Sequence, residues 1–354
     1  MDLVTLEEGN IKECSNFLRQ AIGLNKESLL IQENYLRWKY LSPEGNDNLC
    51  LFFKNKNEFC AVVAGMVWDY IIEGKRVRVC FPVDWFSNPG NTFKGAGKKI
   101  LRAIMERFPV SVAVGGTDIC FNPQLAVGFV DVGDVYPMWI LRSDPKRLRR
   151  VIKRALVWFA HPCKMSQGSN LGKHFLRTSG VSFKDEQQGN EALQAFQGRQ
   201  LFSEGVPRES LLKKWSYYRN QPCNPCRIVT VNLRGKASYM LVCEFNDSRK
   251  DMYGLADALA CREHSTEDIL SAFASLVSLR GKKDAFFMTN KLDIIDAADS
   301  LGYIVQKKIR TQYFSLPGEP VCETIFSFPS VSLLSYDELN YRIGKGDVLG
   351  QCCR

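Results

Sequence analysis

One stretch of this chain, a glycine turn between an apolar strand and an amphipathic helix, constrains the fold more than any other. The run Val77–Val83 is rich in β-branched and apolar residues, residues 88–90 (Asn-Pro-Gly) interrupt it, and apolar residues then recur at helical spacing up to Phe108. Gly95 and Gly97 lie where that helix begins, and glycine lets backbone approach a ligand closely. The free N–H groups of a first helical turn bind anions, so the sequence predicts a phosphate-binding turn.

Lysines surround this turn, at positions 94, 98 and 99. They place positive charge at a helix N-terminus, where the helix dipole already disfavours cations. A bound phosphate would relieve that conflict. The alternative interpretation is a glycine-containing loop with solvated lysines, and a short Gly-x-Gly pattern taken alone does not decide between the two.

The arrangement of these residues resembles a known motif. Asp84 and Trp85, then Pro89 and Gly-Ala-Gly at 95–97, followed by a basic amphipathic helix, are similar to the acyl-CoA-binding motif of the GCN5-related N-acetyltransferase (GNAT) superfamily. In that family the pyrophosphate of coenzyme A rests on the backbone N–H groups of this turn. The usual pattern is Gln/Arg-x-x-Gly-x-Gly/Ala, and this chain departs from it at Thr92. The resemblance implies acetyl-CoA as cosubstrate, held by Phe86, Phe93, Lys94, Gly95, Ala96, Gly97 and Lys98.

Composition limits the possible partners and compartments. The net charge of +9 suits an anionic partner, whether coenzyme A phosphates, a nucleotide sugar, nucleic acid or a membrane surface, and does not choose among them; we expect nucleic acid not to be the partner. Without an apolar run near membrane-spanning length and with an acidic N-terminus, we expect a cytoplasmic protein with no transmembrane segment. Thirteen cysteines then indicate reduced thiols. A lone C-x-x-C at 223–226 and three histidines do not predict a metal site.

Hydrophobic periodicity predicts alternating groups of helices and strands. Helices are predicted at 10–22, 26–41, 95–108, 122–127, 144–161, 190–202, 207–218, 265–280 and 292–301. Strands are predicted at 3–6, 49–54, 58–72, 75–83, 110–114, 134–142, 181–185, 226–233, 237–245, 251–259, 285–289 and 304–316.

The predicted elements occur in a similar order twice, which indicates two tandem units. Helix, helix and antiparallel meander is the order in GNAT domains, and the resemblance in element order covers about residues 1–330. We therefore expect an α+β fold of two tandem GNAT-like domains, each a mixed, mostly antiparallel sheet flanked by helices. The predicted boundaries are a GNAT-like acyl-CoA-binding domain at 1–143, a basic helix and linker at 144–180, a second, degenerate GNAT-like domain at 181–330, and a tail at 331–354.

The second unit lacks the glycine turn. Residues 260–264 read Ala-Cys-Arg-Glu-His, so backbone there cannot approach a pyrophosphate as closely as at 95–97. We expect one coenzyme A molecule per chain, bound by the first unit.

An N-acetyltransferase needs to hold an amine beside the thioester and remove a proton. Asp84 is the predicted catalytic carboxylate, with Asp69 and Asp118 as the next candidates. The alternatives are a structural or solvated role for Asp84 and direct deprotonation through water. A Cys80 nucleophile is a rival hypothesis, although a cysteine buried in a strand is usually inert. The family commonly has a tyrosine acting as general acid in the helix before residue 130, and no tyrosine occurs at 120–130 here, so the acid stays unassigned.

Three functions remain open from the sequence. The first is an acyl-CoA-dependent N-acetyltransferase acting on a primary amine of a small molecule, such as an amino sugar for a surface polysaccharide. The second is an aminoacyl transferase of the FemABX kind, which normally lacks the glycine turn. The third is a non-catalytic binding protein of two degenerate GNAT-like units. The sequence identifies neither the acceptor nor the oligomeric state.

Overall fold

The structure is a computed structural model that describes residues 2–23, 31–42, 49–55, 58–88, 95–108, 110–114, 118–141, 181–186, 190–222, 225–247, 250–281, 284–289, 291–305 and 309–315. The predicted basic helix at 144–161, the linker that follows it and the tail at 331–354 lie outside these residues. So do Phe93 and Lys94. We call residues 2–141 the first half and residues 181–315 the second half.

The first half contains helices α1 (Ile11–Ile22), α2 (Glu33–Leu41), α3 (Ala96–Met105) and α4 (Asp118–Leu125). Its strands are β1 (Asp2–Thr5), β2 (Leu49–Asn55), β3 (Glu58–Ile72), β4 (Lys75–Ser87), β5 (Val110–Val114) and β6 (Val130–Leu141).

The second half contains helices α5 (Asn190–Ala195), α6 (Arg208–Arg219), α7 (Thr266–Leu279) and α8 (Leu292–Ser300). Its strands are β7 (Val181–Glu186), β8 (Arg199–Gln200), β9 (Arg227–Leu233), β10 (Lys236–Asp247), β11 (Lys250–Ala260), β12 (Asp284–Thr289), β13 (Ile304–Val305) and β14 (Ile309–Ser315).

The strands form one continuous sheet in the order β1-β2-β3-β4-β5-β14-β6-β12-β11-β10-β9-β7. Neighbouring strands are antiparallel except for β4 with β5 and β11 with β12, which are parallel. Each half is therefore a mixed, mostly antiparallel sheet flanked by helices, and the predicted α+β fold class is confirmed.

The two halves exchange strands where they meet. The last strand of the first half, β6, pairs with β12 of the second half from Tyr136 to Leu141. In return β14 of the second half pairs with β5 of the first half, from Val110 to Val114. The predicted domain boundaries at 143 and 181 stay predictions, because hydrogen bonding of the strands crosses between the halves.

Helices α2 and α6 pack against each other between the halves. The ring of Trp38 stacks on that of Tyr217 with 4.5 Å between centroids, and the Trp38 indole N–H donates a hydrogen bond to the Tyr217 carbonyl oxygen at 2.7 Å. The Tyr217 hydroxyl donates in turn to the Lys39 carbonyl oxygen at 3.0 Å. Buried side chains from both halves belong to one hydrophobic cluster, so the interface is continuous with the core.

Most of the predicted strands have the predicted bounds within one or two residues, and strand β4 is longer than predicted because it continues past Val83. The helix predicted at 190–202 is wrong beyond Ala195. Residues 199–200 form β8 instead, which pairs with the end of β11, and the Leu201 N–H donates to the Ala258 carbonyl oxygen at 2.9 Å. The free edge of β11 thus supplies the hydrogen-bond partners that a longer helix would have supplied.

The starts of two other helices differ from the sequence prediction. Residues 26–30 of the helix predicted at 26–41 lie outside the described residues, and α2 begins at Glu33 because Gln32 has an extended backbone with φ −68° and ψ 132°. The helix predicted at 122–127 runs from Asp118 to Leu125 and contains Pro123 within it. Within the described residues, every helix is too short or too polar to cross a membrane.

Candidate functional site

Strands β4 and β5 separate at one end of the first half. Their parallel pairing consists of Val79 with Val110 and Cys80 with Ser111. Beyond Cys80, β4 continues to Ser87 beside β3 alone, among the described residues. Helix α3 lies between the two strands in the chain, and in such βαβ units ligands bind beyond the carboxyl ends of the strands. The opening between β4 and β5 is therefore the place where this topology offers a ligand site.

A β-bulge in β4 lies at this opening. The register with β3 shifts so that Ala64 pairs with Val83 but Val62 pairs with Phe86, which leaves one extra residue on β4. Asp84 lies in the bulge with φ 49°, a left-handed backbone conformation that residues other than glycine rarely adopt. Bulges redirect side chains next to active sites, and strained residues concentrate there.

The Asp84 carboxylate is held by two residues of α2. Lys39 Nζ lies 2.7 Å from Asp84 Oδ2, and the Tyr40 hydroxyl donates a hydrogen bond to the same oxygen. The Lys39 side chain is 4% exposed while that of Asp84 is 19% exposed. The carboxylate is thus the part of this cluster that an incoming molecule reaches.

Burial raises the pKa of Tyr40 well above its ordinary value, and the negative charge of Asp84 raises it further. The phenol therefore stays protonated at neutral pH and acts as a donor to the carboxylate. The Cys50 thiol lies behind this cluster, and burial together with a hydrogen bond to Cys14 also raises its pKa well above the ordinary value. Cys50 is thus an inert core thiol rather than a nucleophile.

Helix α3 begins without a capping side chain among the described residues. Gly95 precedes it with φ 90°, a left-handed conformation for which glycine is suited, and as N-cap residue it makes no side-chain hydrogen bond to the helix. The first turn has no acidic residue, and Lys98 and Lys99 are exposed. An ideal Cβ at Gly95 would have no heavy atom within 4 Å, so space is open there. Uncapped N–H groups, the helix dipole and open space suit an anion.

The second glycine of the turn has a different role. Trp85 Nε1 donates a hydrogen bond to the Gly97 carbonyl oxygen at 3.1 Å. An ideal Cβ at Gly97 would lie 3.2 Å from Trp85 Cζ2, so the indole ring occupies the space of a side chain at 97. Trp85 thus joins the bulge of β4 to the first turn of α3.

The equivalent unit of the second half, β11–α7–β12, satisfies its polar groups internally. Ser265 and Asp268 form a reciprocal capping box at the start of α7. The fully buried Asp257 accepts hydrogen bonds from Ser203 and from Trp215 Nε1, and its Oδ1 accepts the N–H of Ala258 at 2.8 Å.

Comparison with known proteins finds the same architecture. No family model matches the chain, and no curated protein matches its sequence. Among solved structures, a GCN5-related N-acetyltransferase from Anabaena variabilis aligns over 88% of this chain and 72% of its own, with a TM-score of 0.54 and 11% identity. A tandem GNAT protein from the clavulanic acid biosynthesis pathway aligns over 89% and 98%, with a TM-score of 0.54 and 10% identity.

The chain has the tandem GNAT fold. A third similar structure is the GCN5-related glucosamine N-acetyltransferase region of a fungal multi-domain β-N-acetylglucosaminidase, with a TM-score of 0.53 and 11% identity over 88% of this chain and 38% of that protein. At these identities the likeness concerns the fold alone.

Within the GNAT fold, several of the predicted site residues come together. Gly95, Ala96, Gly97 and Lys98 lie at the start of α3, with Ala96 buried and Lys98 exposed. Phe86 is half-buried on β4, two residues after Asp84. Their roles in binding remain predictions.

The structure argues against the rival nucleophile and adds two residues. Burial raises the pKa of Cys80 far above its ordinary value, although Ser111 partly opposes this, so a reactive thiolate is disfavoured. Lys39 and Tyr40 were missed as site residues. Tyr40 lies at helical spacing from Leu36, which is typical of an ordinary packing face, and Lys39 lies next to it in the sequence. The available signal was the aromatic and basic run at 35–40 on the helix before the meander. Among the described residues, no cluster of three or more His, Cys, Asp or Glu side chains is arranged to hold a metal ion.

Proposed function

We propose that this protein is an acyl-CoA-dependent N-acetyltransferase that transfers an acetyl group to a primary amine of a small molecule. The observation that carries the proposal is the uncapped, glycine-led N-terminus of α3 beside the opening between β4 and β5. An anionic cosubstrate would supply there the acceptors that no side chain in the described part of the chain provides. Acetyl-CoA supplies an activated thioester, so the protein has to bind, orient and deprotonate rather than form a covalent intermediate.

In this proposal the turn holds the phosphates of the cosubstrate. Residues 95–98 offer backbone N–H groups and the charge of Lys98, with Phe93 and Lys94 before them in the chain. Phe86 flanks the acyl arm on β4. A charge-assisted hydrogen bond from a backbone N–H to a phosphate contributes about 1.5–3 kcal/mol, so two of them account for much of a micromolar affinity.

Asp84 takes the proton of the amine in the proposed reaction. Lys39 and Tyr40 both contact Oδ2, so Oδ1 is the oxygen that we assign to the acceptor. The amine nitrogen bonds to the acetyl carbonyl carbon, the carbon–sulfur bond breaks, and the nitrogen loses a proton to Oδ1. The sulfur leaves with the electron pair of the broken bond as the coenzyme A thiolate.

An amino sugar is the acceptor class that we propose. The similar fungal region is described as a glucosamine N-acetyltransferase, which supports an amino sugar without identifying it. We also propose a cytoplasmic location, since the cysteines among the described residues are free thiols and fit a reducing compartment.

Titration calorimetry with acetyl-CoA tests the proposal directly. We expect one acetyl-CoA per chain, because the second half caps its own helix. A stoichiometry of two would reject the assignment to the first half, and a protein that binds none would reject the N-acetyltransferase. In that case an aminoacyl transferase or a non-catalytic protein would be favoured.

Replacement of Asp84 separates binding from chemistry. Asp84→Asn should lower kcat with a glucosamine-type acceptor by about a hundredfold, since a positioned base contributes about 10²–10⁴. Acetyl-CoA affinity should stay within about twofold of the parent, because the carboxylate lies outside the phosphate turn. Glu106→Gln, an exposed carboxylate beyond the other end of α3, is the matched control. An Asp84→Asn enzyme with parental kcat would exclude Asp84 as the base.

A further inference from the structure

We propose that Trp85 is a positioning residue for coenzyme A binding, and that Trp85 and Gly97 work as a matched pair. This inference rests on the proposed function. Trp85 lies on β4 next to the bulge at Asp84, yet its indole contacts the first turn of α3. It therefore couples the strand that carries the catalytic carboxylate to the helix that carries the phosphate site.

The hydrogen bond fixes the orientation of the turn. Trp85 Nε1 lies 3.1 Å from the Gly97 carbonyl oxygen, in the turn whose N–H groups face outward from the helix start. A first helical turn without a capping side chain loses order easily, because its N–H groups make no intrahelical bonds. The indole supplies a constraint from outside the helix, and it uses the carbonyl side of the turn. The N–H side stays available to phosphates.

The shape of the contact explains why residue 97 is glycine. An ideal Cβ there would lie 3.2 Å from both Trp85 Cζ2 and Trp85 Nε1, closer than ordinary van der Waals contact. The indole or the turn would have to move by a few tenths of an ångström. Gly95 differs, since a Cβ there would meet nothing within 4 Å and only its φ of 90° requires glycine. The two glycines of the motif thus have separate physical reasons.

The pair has a specific consequence for ligand recognition. If Trp85 orients the N–H groups of the turn, its loss weakens contacts to the phosphates and leaves contacts to the acyl arm in place. A merely structural role would weaken binding of every ligand alike. Acetyl-CoA and S-acetylpantetheine, which lacks the pyrophosphate and nucleotide, distinguish the two.

A double-mutant cycle on Trp85 and Gly97 tests the inference, with acetyl-CoA affinity measured by calorimetry. We expect Gly97→Ala to weaken binding about tenfold in the parent and less than about twofold in a Trp85→Leu background, where the smaller side chain makes room for the Cβ. Trp85→Phe keeps a ring and removes the donor, and should weaken binding about fivefold, the effect of one hydrogen bond. Gly9→Ala, where a Cβ has open space, is the control.

S-acetylpantetheine affinity, measured by ligand-observed NMR, should change less than about twofold in every variant, the expectation for a contact that acts through the phosphates alone. The inference is overturned if the effects of the two substitutions simply add, or if S-acetylpantetheine affinity falls as much as that of acetyl-CoA. Thermal unfolding of each variant identifies one that fails to fold, and Trp85→Phe then gives the decisive comparison of the two ligands. A parent protein that binds no acetyl-CoA rejects the proposed function itself and this inference with it.

Discussion

Helix α3, which follows β4, and helix α7, which follows β11, begin differently in the two halves of the molecule. In the first half α3 follows Gly95 and has no capping side chain among the residues that the structure describes, whereas in the second half Ser265 and Asp268 cap α7. Both helices connect parallel strands and occupy the same place in the fold. The difference teaches that the repeated backbone does not define a binding site. The site depends on which polar groups the chain leaves for a ligand.

The bulged strands show the same contrast. Asp84 is partly exposed and contacts a lysine and a tyrosine through one oxygen. Asp257, beside the register shift in β11, is fully buried and accepts the N–H of its neighbour Ala258 as well as two side-chain donors. The second half thus fills with its own carboxylate the region that the first half leaves partly open.

Replacement of Asp257 should have the largest effect on stability. Asp257→Ala leaves the donors of Ser203 and Trp215 unpaired in the core, and Lys214 without its nearby anion. Removing one member of such a buried network typically costs about 3–5 kcal/mol. Urea unfolding should show this loss, with Asp296→Ala on the exposed face of α8 as the unaffected control. An unchanged midpoint of unfolding would mean that the stability of the second half does not depend on the hydrogen bonds that Asp257 accepts.

Replacement of Lys214 should stabilise the folded protein, whereas replacement of Asp257 should destabilise it. Its side chain is fully buried, its Nζ has no hydrogen-bond partner within the described structure, and it lies 5.6 Å from the Trp68 ring centroid. Burial lowers the pKa of Lys214 to about 7, against the opposing effect of Asp257. Lys214→Met removes a buried cation that makes no hydrogen bond among the described residues, while Asp257 keeps its three donors from Ser203, Trp215 and Ala258, so it should raise the free energy of unfolding by about 1–3 kcal/mol at pH 6.

This gain should depend on pH in a defined direction. The folded-state pKa of about 7 lies below the ordinary value of 10.5, so the unfolded chain binds more protons between these values. The parent gains stability as the pH rises through that window, and the advantage of Lys214→Met shrinks there. Unfolding at pH 6 and pH 9.5 measures the change. The control is Lys213→Met at the exposed neighbouring position, whose effect on stability should not depend on pH in this way. Equal gains in stability from Lys214→Met at both pH values would contradict the argument from burial.

The two helix starts should respond differently to matched substitutions. Ser265→Ala removes a cap and should cost about 1 kcal/mol, with acetyl-CoA affinity unchanged. Gly95→Ala should lower the free energy of unfolding by a similar amount, because alanine tolerates a φ of 90° poorly. It should also weaken acetyl-CoA binding at least tenfold, which is about 1.4 kcal/mol of binding free energy. Thermal unfolding and calorimetry on both variants measure these effects. If Ser265→Ala weakened binding as much as Gly95→Ala, the functional contrast between the halves would not hold.

The smallest effect should come from the surface of the capped turn. Lys236 Nζ lies 3.2 Å from Glu263 Oε1, with both side chains 59% exposed. Water and salt screen an exposed ion pair, so Lys236→Ala should leave the midpoint of unfolding almost unchanged. Urea unfolding at low and high salt checks this. A clear, salt-dependent fall of the midpoint would show that this turn needs its ion pair as well as its cap.

The sequence predicts the fold well where periodicity is strong. Strand β3 and strand β5 have the predicted bounds, because long apolar runs bounded by turn residues leave little freedom. The short β8 could not be predicted, since residues 199–200 owe their conformation to pairing with residues 259–260, far along the chain. Local propensity contains no information about such a partner.

The candidate site divides in the same way. The glycine turn and Asp84 lie close together in the sequence and were predictable from a local pattern. Lys39 and Tyr40 were not, because they reach Asp84 from 45 and 44 residues earlier, respectively, and only the packing of α2 on the bulged strand brings them together. The pairing of Trp85 with Gly97 shows the limit most clearly, since the sequence suggested one reason for both glycines and the structure has two.

The exchange of strands has a consequence for synthesis of the chain. Strand β14 lies between β5 and β6, so the edge of β5 lacks its partner until residues 309–315 have been made. Strand β5 and the glycine turn precede β14 by about 200 residues in the chain. At common elongation rates of 5–20 residues per second, the ribosome makes β14 about 10–40 s after them. For that interval β5 is an unprotected sheet edge. A ribosome that stalls after the first half therefore exposes a chain prone to association with other copies, and the second half completes the fold of the first as well as its own.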